Sequence, residues 1–420
     1  MDFSSPINRP QMASIIKPLR IPSNSKQSSD TKIGGFSSTT SNVVSLNFHP
    51  TNGKHLFVTS SNYRNQNPNL CTIRMHDCLE NRPISSIKVP CSNNKVVVQA
   101  THAEYCCLIG GCGKGSNLEY LSLYDNKVLR TYSDQKQTEE SSIACLSMSP
   151  VDDTFLSADE KGSVRLWNAS TPNCIGKLDS IAMNANGEYS NVLASFDSTG
   201  LVFCLSAKSK KEGLQHVHLY DARNYGAGAF AEMSLKKSDV CDALLSNSSI
   251  KLTNEDALEL SGSDWSSIQF NSSGKHLLIG TKGLSNRYHG YCMTIDGYSG
   301  ALDKIFMDDI IVNKSDYVAG TDTENNQNIE NDVSLSSKNI SMQMQAESEL
   351  GIAACFTPDD KTVLVGGGHY GNGFINCHDA ASGALTAKLE GHADRVDCIA
   401  CSPRLAVVAT ACTNTALWTW

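Results

Sequence analysis

Short apolar runs alternate with polar turns along most of the 420-residue chain. The stretch SMSPVDDTFLSADEKGSVRLWN, residues 147–168, shows the pattern clearly. A Ser-Pro turn precedes the apolar pair Phe155-Leu156, and a polar turn then leads into a second run that ends in Trp167-Asn168. Two short apolar runs around a polar turn are typical of a β-hairpin. The stretch therefore predicts two paired strands.

The same unit recurs seven times, and the tightest spacings are about 45 to 50 residues. That period fits one four-stranded blade of a WD-repeat propeller, for which about 40–45 residues are expected. We therefore predict an all-β fold with almost no helix, a seven-bladed WD-repeat β-propeller. The apolar pairs of the units begin near residues 45, 94, 145, 193, 267, 354 and 399.

A third apolar run in most units ends in an acidic or amide residue, at the place where a WD repeat carries its Trp-Asp pair. His392 follows Gly391 and matches the Gly-His that opens a WD repeat, where a histidine has a structural hydrogen-bonding role. We predict structural roles within the blades for Asp77, Asp125, Trp167, Asn168, Asp221, Asp296, Asp379 and His392.

The last unit supplies only three strands before the chain reaches Trp420. A propeller that did not close would leave an exposed sheet edge, which proteins avoid. The apolar stretch ASIIKPLRIP can supply the missing outer strand. We therefore expect a flexible tail at 1–12, a propeller at 13–420 and a closing strand at 13–26.

Two insertions interrupt the repeat, at about 230–264 and at 308–349. The second carries nine acids against two lysines, which accounts for most of the net charge of -8. It has almost no aromatic residues, so we expect disorder, with a separate acidic subdomain as the alternative. The rest of the chain is nearly neutral and has no basic stripe, so direct binding of nucleic acid is not expected.

The motifs that suggest enzyme or metal chemistry have simpler structural explanations. GGGHYG, residues 366–371, satisfies the dinucleotide pattern GxGxxG, but strand-like sequence follows it in place of the required helix. Cys398 and Cys401 lack a second ligand pair at zinc-site spacing, and residues three apart in a strand point to opposite faces. We expect reduced cysteines, no cofactor, no metal and no enzymatic activity.

No apolar run is long enough to cross a bilayer, and the polar, proline-broken first thirty residues do not resemble a secretory signal. No membrane association is therefore expected, and the protein is expected to be intracellular.

Residues 101–174 contain, in order, THAEYCC, YLSLYDNKVLRTY, CLSMSPVDDTFLS, SVRLWN and PNC. This series resembles the Swd-two family of WD-repeat proteins. That family supplies the propeller subunit of COMPASS-type histone H3 lysine-4 methyltransferase complexes and of nuclear RNA 3′-end and phosphatase assemblies. The chain is about a hundred residues longer than the family pattern. It also has Lys161 and Asn168 where the family has aspartate.

The resemblance implies a nuclear, non-catalytic scaffold that docks a SET-domain methyltransferase subunit and other complex subunits. It also implies a link to RNA polymerase II through the phosphorylated tail of the polymerase. Charge-assisted donors for such a tail would come from Lys114, Lys127, Arg130, Lys161 and Arg165, although each could simply be a solvated surface charge. An adaptor of a ubiquitin ligase or trafficking complex remains the alternative function.

Overall fold

The computed structural model describes fourteen parts of the chain. These are residues 11–16, 42–61, 70–91, 96–112, 117–132, 143–159, 162–178, 189–209, 211, 213–247, 252–283, 289–307, 351–369 and 371–419. The predicted insertion at 308–349 lies outside them, as do the predicted tail residues 1–10.

Seven four-stranded antiparallel sheets form the blades, and in six of them the strands follow one another in chain order. The first strand of the chain, β1 (Gln11–Ile16), belongs to blade 7. The strands of blade 1 are β2 (Asn42–Phe48), β3 (His55–Ser61), β4 (Leu70–Asp77) and β5 (Arg82–Pro90). Blade 2 comprises β6 (Val97–Ala100), β7 (Cys106–Cys112), β8 (Asn117–Ser122) and β9 (Lys127–Tyr132).

The remaining blades repeat this order. Blade 3 contains β10 (Ile143–Met148), β11 (Thr154–Asp159), β12 (Val164–Asn168) and β13 (Gly176–Lys177). Blade 4 contains β14 (Tyr189–Phe196), β15 (Val202–Ser209), β16 (Gln215–Asp221) and β17 (Ala231–Leu235). Blade 5 contains β18 (Trp265–Phe270), β19 (His276–Thr281), β20 (Cys292–Asp296) and β21 (Leu302–Phe306). Blade 6 contains β22 (Ala354–Phe356), β23 (Thr362–His369), β24 (Asn372–Asp379) and β25 (Leu385–His392). Blade 7 contains β26 (Cys398–Cys401), β27 (Val407–Ala411) and β28 (Thr415–Thr419).

The hydrophobic core lies between neighbouring blades. The second strand of a blade is covered on both faces, so all seven residues of β3 and all five of β27 are buried. Large side chains such as Phe57, Phe155 and Phe203 are fully buried there. Strands that are buried on both faces read as continuous apolar runs, which explains the runs seen in the sequence.

Blade 7 joins the two ends of the chain, because β1 pairs antiparallel with β28 as its outer strand. The register runs from Gln11 opposite Thr419 to Ile16 opposite Thr415. Closure by an N-terminal strand is thus confirmed, but the strand begins two residues before the predicted start at 13. Residues 17–26 of the predicted strand lie outside the described part of the chain.

Contacts between blades 1 and 7 complete the ring. The Ser402 hydroxyl donates to the Gly53 carbonyl at 2.8 Å. Gly53 has φ +63°, and a Cβ atom there would lie 2.6 Å from the Ser402 Oγ. Only glycine fits this position without strain, because the backbone conformation and the close approach both exclude a side chain.

Two short helices were not predicted from the sequence. They lie in the insertion between blades 4 and 5, where α1 spans Lys237–Ser246 and α2 spans Asn254–Leu260. Thr253 caps α2, and its hydroxyl accepts from the Asp256 amide at 3.1 Å. Val240 and Leu260 pack both helices into the cluster that contains Trp265. Helices this short repeat their apolar pattern too few times to be recognised by periodicity.

The glycine-rich and cysteine motifs behave as the sequence predicts. Gly366 and Gly368 lie in β23, which pairs with β24 and is not followed by a helix. Cys398 packs at the blade 7–1 junction and Cys401 at the blade 6–7 junction, so the two thiols point to opposite faces of β26. In the described part of the chain, no helix is long and apolar enough to cross a membrane.

We expect removal of residues 1–16 to expose the outer edge of β28, because its pairing partner is lost. The truncated protein should aggregate, or its thermal midpoint should fall by roughly 5 °C or more, since each kcal/mol lost shifts the midpoint by ~2–4 °C. Scanning fluorimetry and light scattering would measure this. Removal of residues 1–10 is the matched control and should leave both readings unchanged. Equal stability of the two truncations would show that β1 is not what closes the ring.

Candidate partner-binding surface

In blades 1 to 6, two turns lie at the same end of the propeller, whereas blade 7 has only the first of them, because its fourth strand comes from the N-terminal segment. The first turn joins the first and second strands of a blade, and the third turn joins its third and fourth strands. Because neighbouring strands are antiparallel, these two turns share one edge of the sheet, and together they form what we call the turn face.

The two turns of each blade are joined by one backbone hydrogen bond in blades 1 to 6. The residue after the third strand donates its N–H to the carbonyl of the residue just before the second strand. The bonds are Cys78 to Lys54 (2.9 Å), Leu123 to Tyr105 (2.8 Å), Ala169 to Asp153 (2.8 Å), Ala222 to Leu201 (2.8 Å), Gly297 to Lys275 (2.6 Å) and Ala380 to Lys361 (2.8 Å). The turn face is therefore a fixed platform of paired turns.

The predicted strand-ending residues stabilise the third turn. The Asp77 carboxylate accepts from the amides of Leu79 and Glu80, each at 3.0 Å. Asp296 accepts from the amides of Tyr298 and Ser299, and Asp379 accepts from the Ser382 amide at 2.7 Å. Such side-chain bonds to the following backbone are the usual role of Asp and Asn in turns.

Asn168 and Asp221 make the same kind of turn. The Asn168 side-chain oxygen accepts from the Ser170 amide at 2.8 Å. Asp221 accepts from the Arg223 amide at 2.9 Å and also pairs with the Arg223 guanidinium. The asparagine at 168 therefore keeps the acceptor that the turn requires.

Asp125 differs from the other five residues of this series. Strand β8 ends at Ser122, and the amide that bonds to the first turn belongs to Leu123. Ser122 thus holds the place that an acid or amide holds elsewhere, and Asp125 lies three residues further along the turn. A hydrogen bond from Ser122 is the main cause of the lowered pKa of the Asp125 carboxyl.

The two tryptophans near blade ends have matching hydrogen bonds. Trp167 Nε1 donates to the Ser157 hydroxyl at 2.9 Å, and Trp418 Nε1 donates to the Thr410 hydroxyl at 2.6 Å. From blade 7 the network extends to His392 at the end of β25 in blade 6, whose Nε2 lies 2.7 Å from Thr410 Oγ1. The Nδ1 atom of His392 lies 3.3 Å from the Cys412 sulfur. These residues serve the blades and are not available to a ligand.

Burial keeps the histidine of this network neutral. It lowers the pKa of His392 from 6.5 to about 4. The pKa of His76 is also lowered to about 4, by burial and by the nearby Arg74. Burial and the charge of Arg395 lower the pKa of His289 to about 3. Low pKa values of this kind arise from structural burial and do not by themselves indicate a catalytic site.

The structure separates the predicted basic contacts. Lys127 is 73% exposed and pairs loosely with Asp125 at 3.4 Å. The Arg130 guanidinium bonds to the Ala169 carbonyl across the blade 2–3 junction, where Tyr132 Oη also donates at 2.9 Å. Lys114 and Lys161 lie outside the described residues.

Arg165 lies within the sheet. Its side chain is only 11% exposed, and its Nη1 atom is 3.5 Å from a carboxylate oxygen of the buried Asp159 on the neighbouring strand. Among the three described basic residues, only Lys127 therefore extends freely into solvent. The proposal that these residues bind a phosphopeptide stays a prediction.

Exposed apolar side chains on the turn face were missed by the sequence reading. Tyr124 is 82% exposed, Tyr298 is 77% exposed and Leu79 is 63% exposed, all three in third turns. Val151 and Leu201 are exposed in first turns. Large apolar residues at polar turn positions are a signal that could have identified them. Solvent-exposed aromatic residues on a rigid platform are typical of protein interfaces.

No group of His, Cys, Asp and Glu residues with metal-binding geometry occurs among the described residues. The described cysteines are free thiols.

Comparisons with known proteins agree with this architecture. The family model "WD domain, G-beta repeat" matches residues 126–168. WD repeat-containing protein 82 of Drosophila melanogaster is 25% identical over 387 residues, which cover 91% of this chain and 92% of the fly protein. COMPASS component SWD2 of Saccharomyces cerevisiae is 29% identical over 241 residues, which cover 57% of this chain and 58% of the yeast protein. These comparisons support the resemblance of the chain to the WD-repeat Swd2 family.

A solved structure extends the likeness to the fold. The β-propeller domain of Myceliophteria thermophila Cps50 (Swd1) matches with a TM-score of 0.56. The match covers 98% of this chain and 100% of that domain at 12% sequence identity. Identity this low supports the propeller fold alone.

We expect His392 to make the protein less stable in acid. Its folded-state pKa is lowered to about 4, so neutral His392 contributes stability that is fully present above pH 6.5 and is lost as the pH falls toward 4. Urea denaturation at pH 7 and pH 5 would measure the loss. His392→Gln should make that loss about 2 kcal/mol smaller than in the wild type, at ~1.4 kcal/mol per pH unit.

His76 and His289 act in the same direction, so the variant should reduce the pH dependence without abolishing it. The exposed variant Lys127→Gln is a control and should keep the wild-type pH dependence. If His392→Gln had the same pH dependence as the wild type, His392 would not be a neutral buried group.

Proposed function

We propose that the chain is a non-catalytic propeller subunit of a nuclear, COMPASS-type histone H3 lysine-4 methyltransferase complex. The observation that carries the proposal is the similarity to WD repeat-containing protein 82 over 91% of the chain, together with the similarity to COMPASS component SWD2. In this role the subunit docks the SET-domain methyltransferase subunit. It links the complex to RNA polymerase II transcription and to mRNA 3′-end processing.

The geometry of the propeller supports a scaffold role. The ring is closed by strand pairing between the chain ends, and the turns of blades 1 to 6 are tied in pairs. A rigid platform loses little conformational entropy when a partner binds, which favours affinity. Exposed aromatic residues such as Tyr124 and Tyr298 provide the anchors that interfaces commonly use.

Contact with a phosphorylated polymerase tail is a finer part of the proposal. An anionic peptide requires exposed cationic donors. Lys127 meets that condition, because its side chain is 73% exposed and its ion pair with Asp125 lies at the surface. Surface ion pairs are weak enough to be exchanged for a ligand. Arg130 and Arg165 contribute less directly, since both are bound within the propeller.

Affinity purification from nuclear extract tests the assignment to a complex. We expect the tagged full-length chain to recover a SET-domain methyltransferase subunit, or a 3′-end-processing or phosphatase scaffold. Mass spectrometry would identify the recovered subunits, and tagged unrelated propellers would control for non-specific capture. Recovery of ubiquitin-ligase or vesicle-coat subunits in their place would overturn the proposal and leave the fold unaffected.

A pair of charge reversals tests the phosphopeptide surface. Lys127→Glu should weaken binding of a serine-phosphorylated polymerase-tail peptide about two- to fivefold, as expected for one exposed charge contact. Its stability should be unchanged. Arg165→Glu should instead lower the free energy of unfolding by about 3 kcal/mol, because it places a second carboxylate beside buried Asp159.

Fluorescence anisotropy and urea denaturation measure the two effects of these charge reversals. The unphosphorylated peptide is the binding control. Unchanged affinity of Lys127→Glu would exclude Lys127 from the surface that contacts the tail.

A further inference from the structure

Two tyrosine rings on the turn face of blade 2 form an open notch. Tyr105 belongs to the first turn and Tyr124 to the third turn, and their ring centroids lie 5.8 Å apart at an interplanar angle of 55°. Tyr105 is half-buried, whereas Tyr124 is 82% exposed. We call this pair the tyrosine notch. The Tyr105 ring is thus partly packed into the surface, and the Tyr124 ring extends into solvent.

Backbone and side-chain contacts hold the tyrosine notch in place without a ligand. The Leu123 amide, next to Tyr124, donates to the Tyr105 carbonyl at 2.8 Å. The Ser85 hydroxyl of blade 1 donates to the Leu123 carbonyl at 2.6 Å. The His55 ring lies behind Tyr105, with centroids 5.8 Å apart. A site that is held in its binding geometry before the ligand arrives loses less entropy on binding.

Acidic residues are the sequence neighbours of both tyrosines. Glu104 precedes Tyr105 and Asp125 follows Tyr124, and both are exposed. Counted over the first and third turns of blades 1 and 2, the first turn of blade 3, and the strand residues that directly follow the two third turns, there are five exposed acids against three bases. The acids are Glu80, Glu104, Asp125, Asp152 and Asp153, and the bases are Lys54, Arg82 and Lys127. The surface around the notch is therefore complementary to a cation.

The local bases are paired with acids near the notch, and Arg82 also lies within electrostatic range of Tyr105. Lys54 Nζ lies 3.8 Å from Glu104, and Lys127 Nζ lies 3.4 Å from Asp125. Arg82 donates to Glu80. Among the described residues, no lysine or arginine is positioned over the face of either tyrosine. The cation–π contact that the described residues do make joins Lys388 and Phe374, which lie in blade 6.

We propose that the tyrosine notch binds an arginine side chain of a partner protein. A tyrosine face attracts a cation through its ring quadrupole, and a planar guanidinium can stack on one ring while it donates to a neighbouring carboxylate. Glu104 and Asp125 supply that acceptor at the two sides of the notch. The inference rests on the proposed function only in taking the ligand to be a protein segment, and it does not depend on which complex is joined.

A peptide pair tests the proposal on the purified full-length chain. The probe is the amidated peptide Gly-Ser-Arg-Gly-Ser, and the comparison peptide replaces arginine with citrulline, which has nearly the same shape but no charge. Binding is followed by NMR through ¹³C-labelled tyrosine rings, assigned with Tyr124→Phe. We expect the arginine peptide to shift the Tyr105 and Tyr124 signals in a salt-sensitive way, with at least about tenfold weaker binding of the citrulline peptide.

Variants separate the notch from general surface binding. Tyr124→Ala should weaken arginine-peptide binding about tenfold, and Tyr124→Phe should largely retain it, because phenylalanine keeps the ring face. Glu104→Gln should weaken binding a few-fold. Tyr298→Ala is the matched control, since Tyr298 is 77% exposed in the third turn of blade 5, and it should bind as the wild type does.

Three results would overturn the proposal: equal binding of the citrulline peptide, no shift of either notch tyrosine, or equal losses in Tyr124→Ala and Tyr298→Ala. Equal binding of the citrulline peptide would indicate an apolar or proline-containing ligand instead. Thermal midpoints measured for each variant exclude unfolding as the cause. Recovery of a methyltransferase complex by affinity purification is a separate readout, so either proposal can fail without the other.

Discussion

Pairing between the two ends of the chain is the constraint on which the propeller depends. Blade 7 obtains three strands from the C-terminal segment and its outer strand from residues 11–16. Without that pairing, the ladder groups of β28 would face solvent at an open edge. The bond between Ser402 and the Gly53 carbonyl reinforces the same junction from the side of blade 1. Long-range closure of this kind fixes the positions of all seven blades at once.

A ring fixed in this way needs most of its polar turn residues for its own structure. Aspartates 77, 296 and 379 are committed to their turns, and Asn168 and Asp221 are as well. Arg130 and Arg165, which look like surface cations in the sequence, have acceptors inside the propeller. Partner binding therefore depends on side chains that are not hydrogen-bonded within the turns. On the turn face, many of these side chains are large and apolar.

The contrast between blades 2 and 7 shows how one repeat serves two purposes. Thr410 and Trp418 of blade 7 form a buried network with His392, the last residue of β25 in blade 6, and this network secures the closing sheet. Blade 2 has no acid or amide where its third strand ends, and Ser122 holds that position. Its third turn instead places Tyr124 in solvent against Tyr105. A departure from the repeat pattern thus coincides with the exposed aromatic surface, in the region that most resembles the family.

The sequence alone determined the number of blades, the need for an N-terminal closing strand and the opposite orientations of Cys398 and Cys401. These features follow from alternation and spacing along the chain, which are local properties. Only the tertiary structure decided that Arg165 faces Asp159, that Arg130 reaches the Ala169 carbonyl and that Tyr105 meets Tyr124. Those contacts join residues from different strands, turns or blades. They depend on strand register and on how neighbouring blades pack, and the period of a single strand carries no information about either.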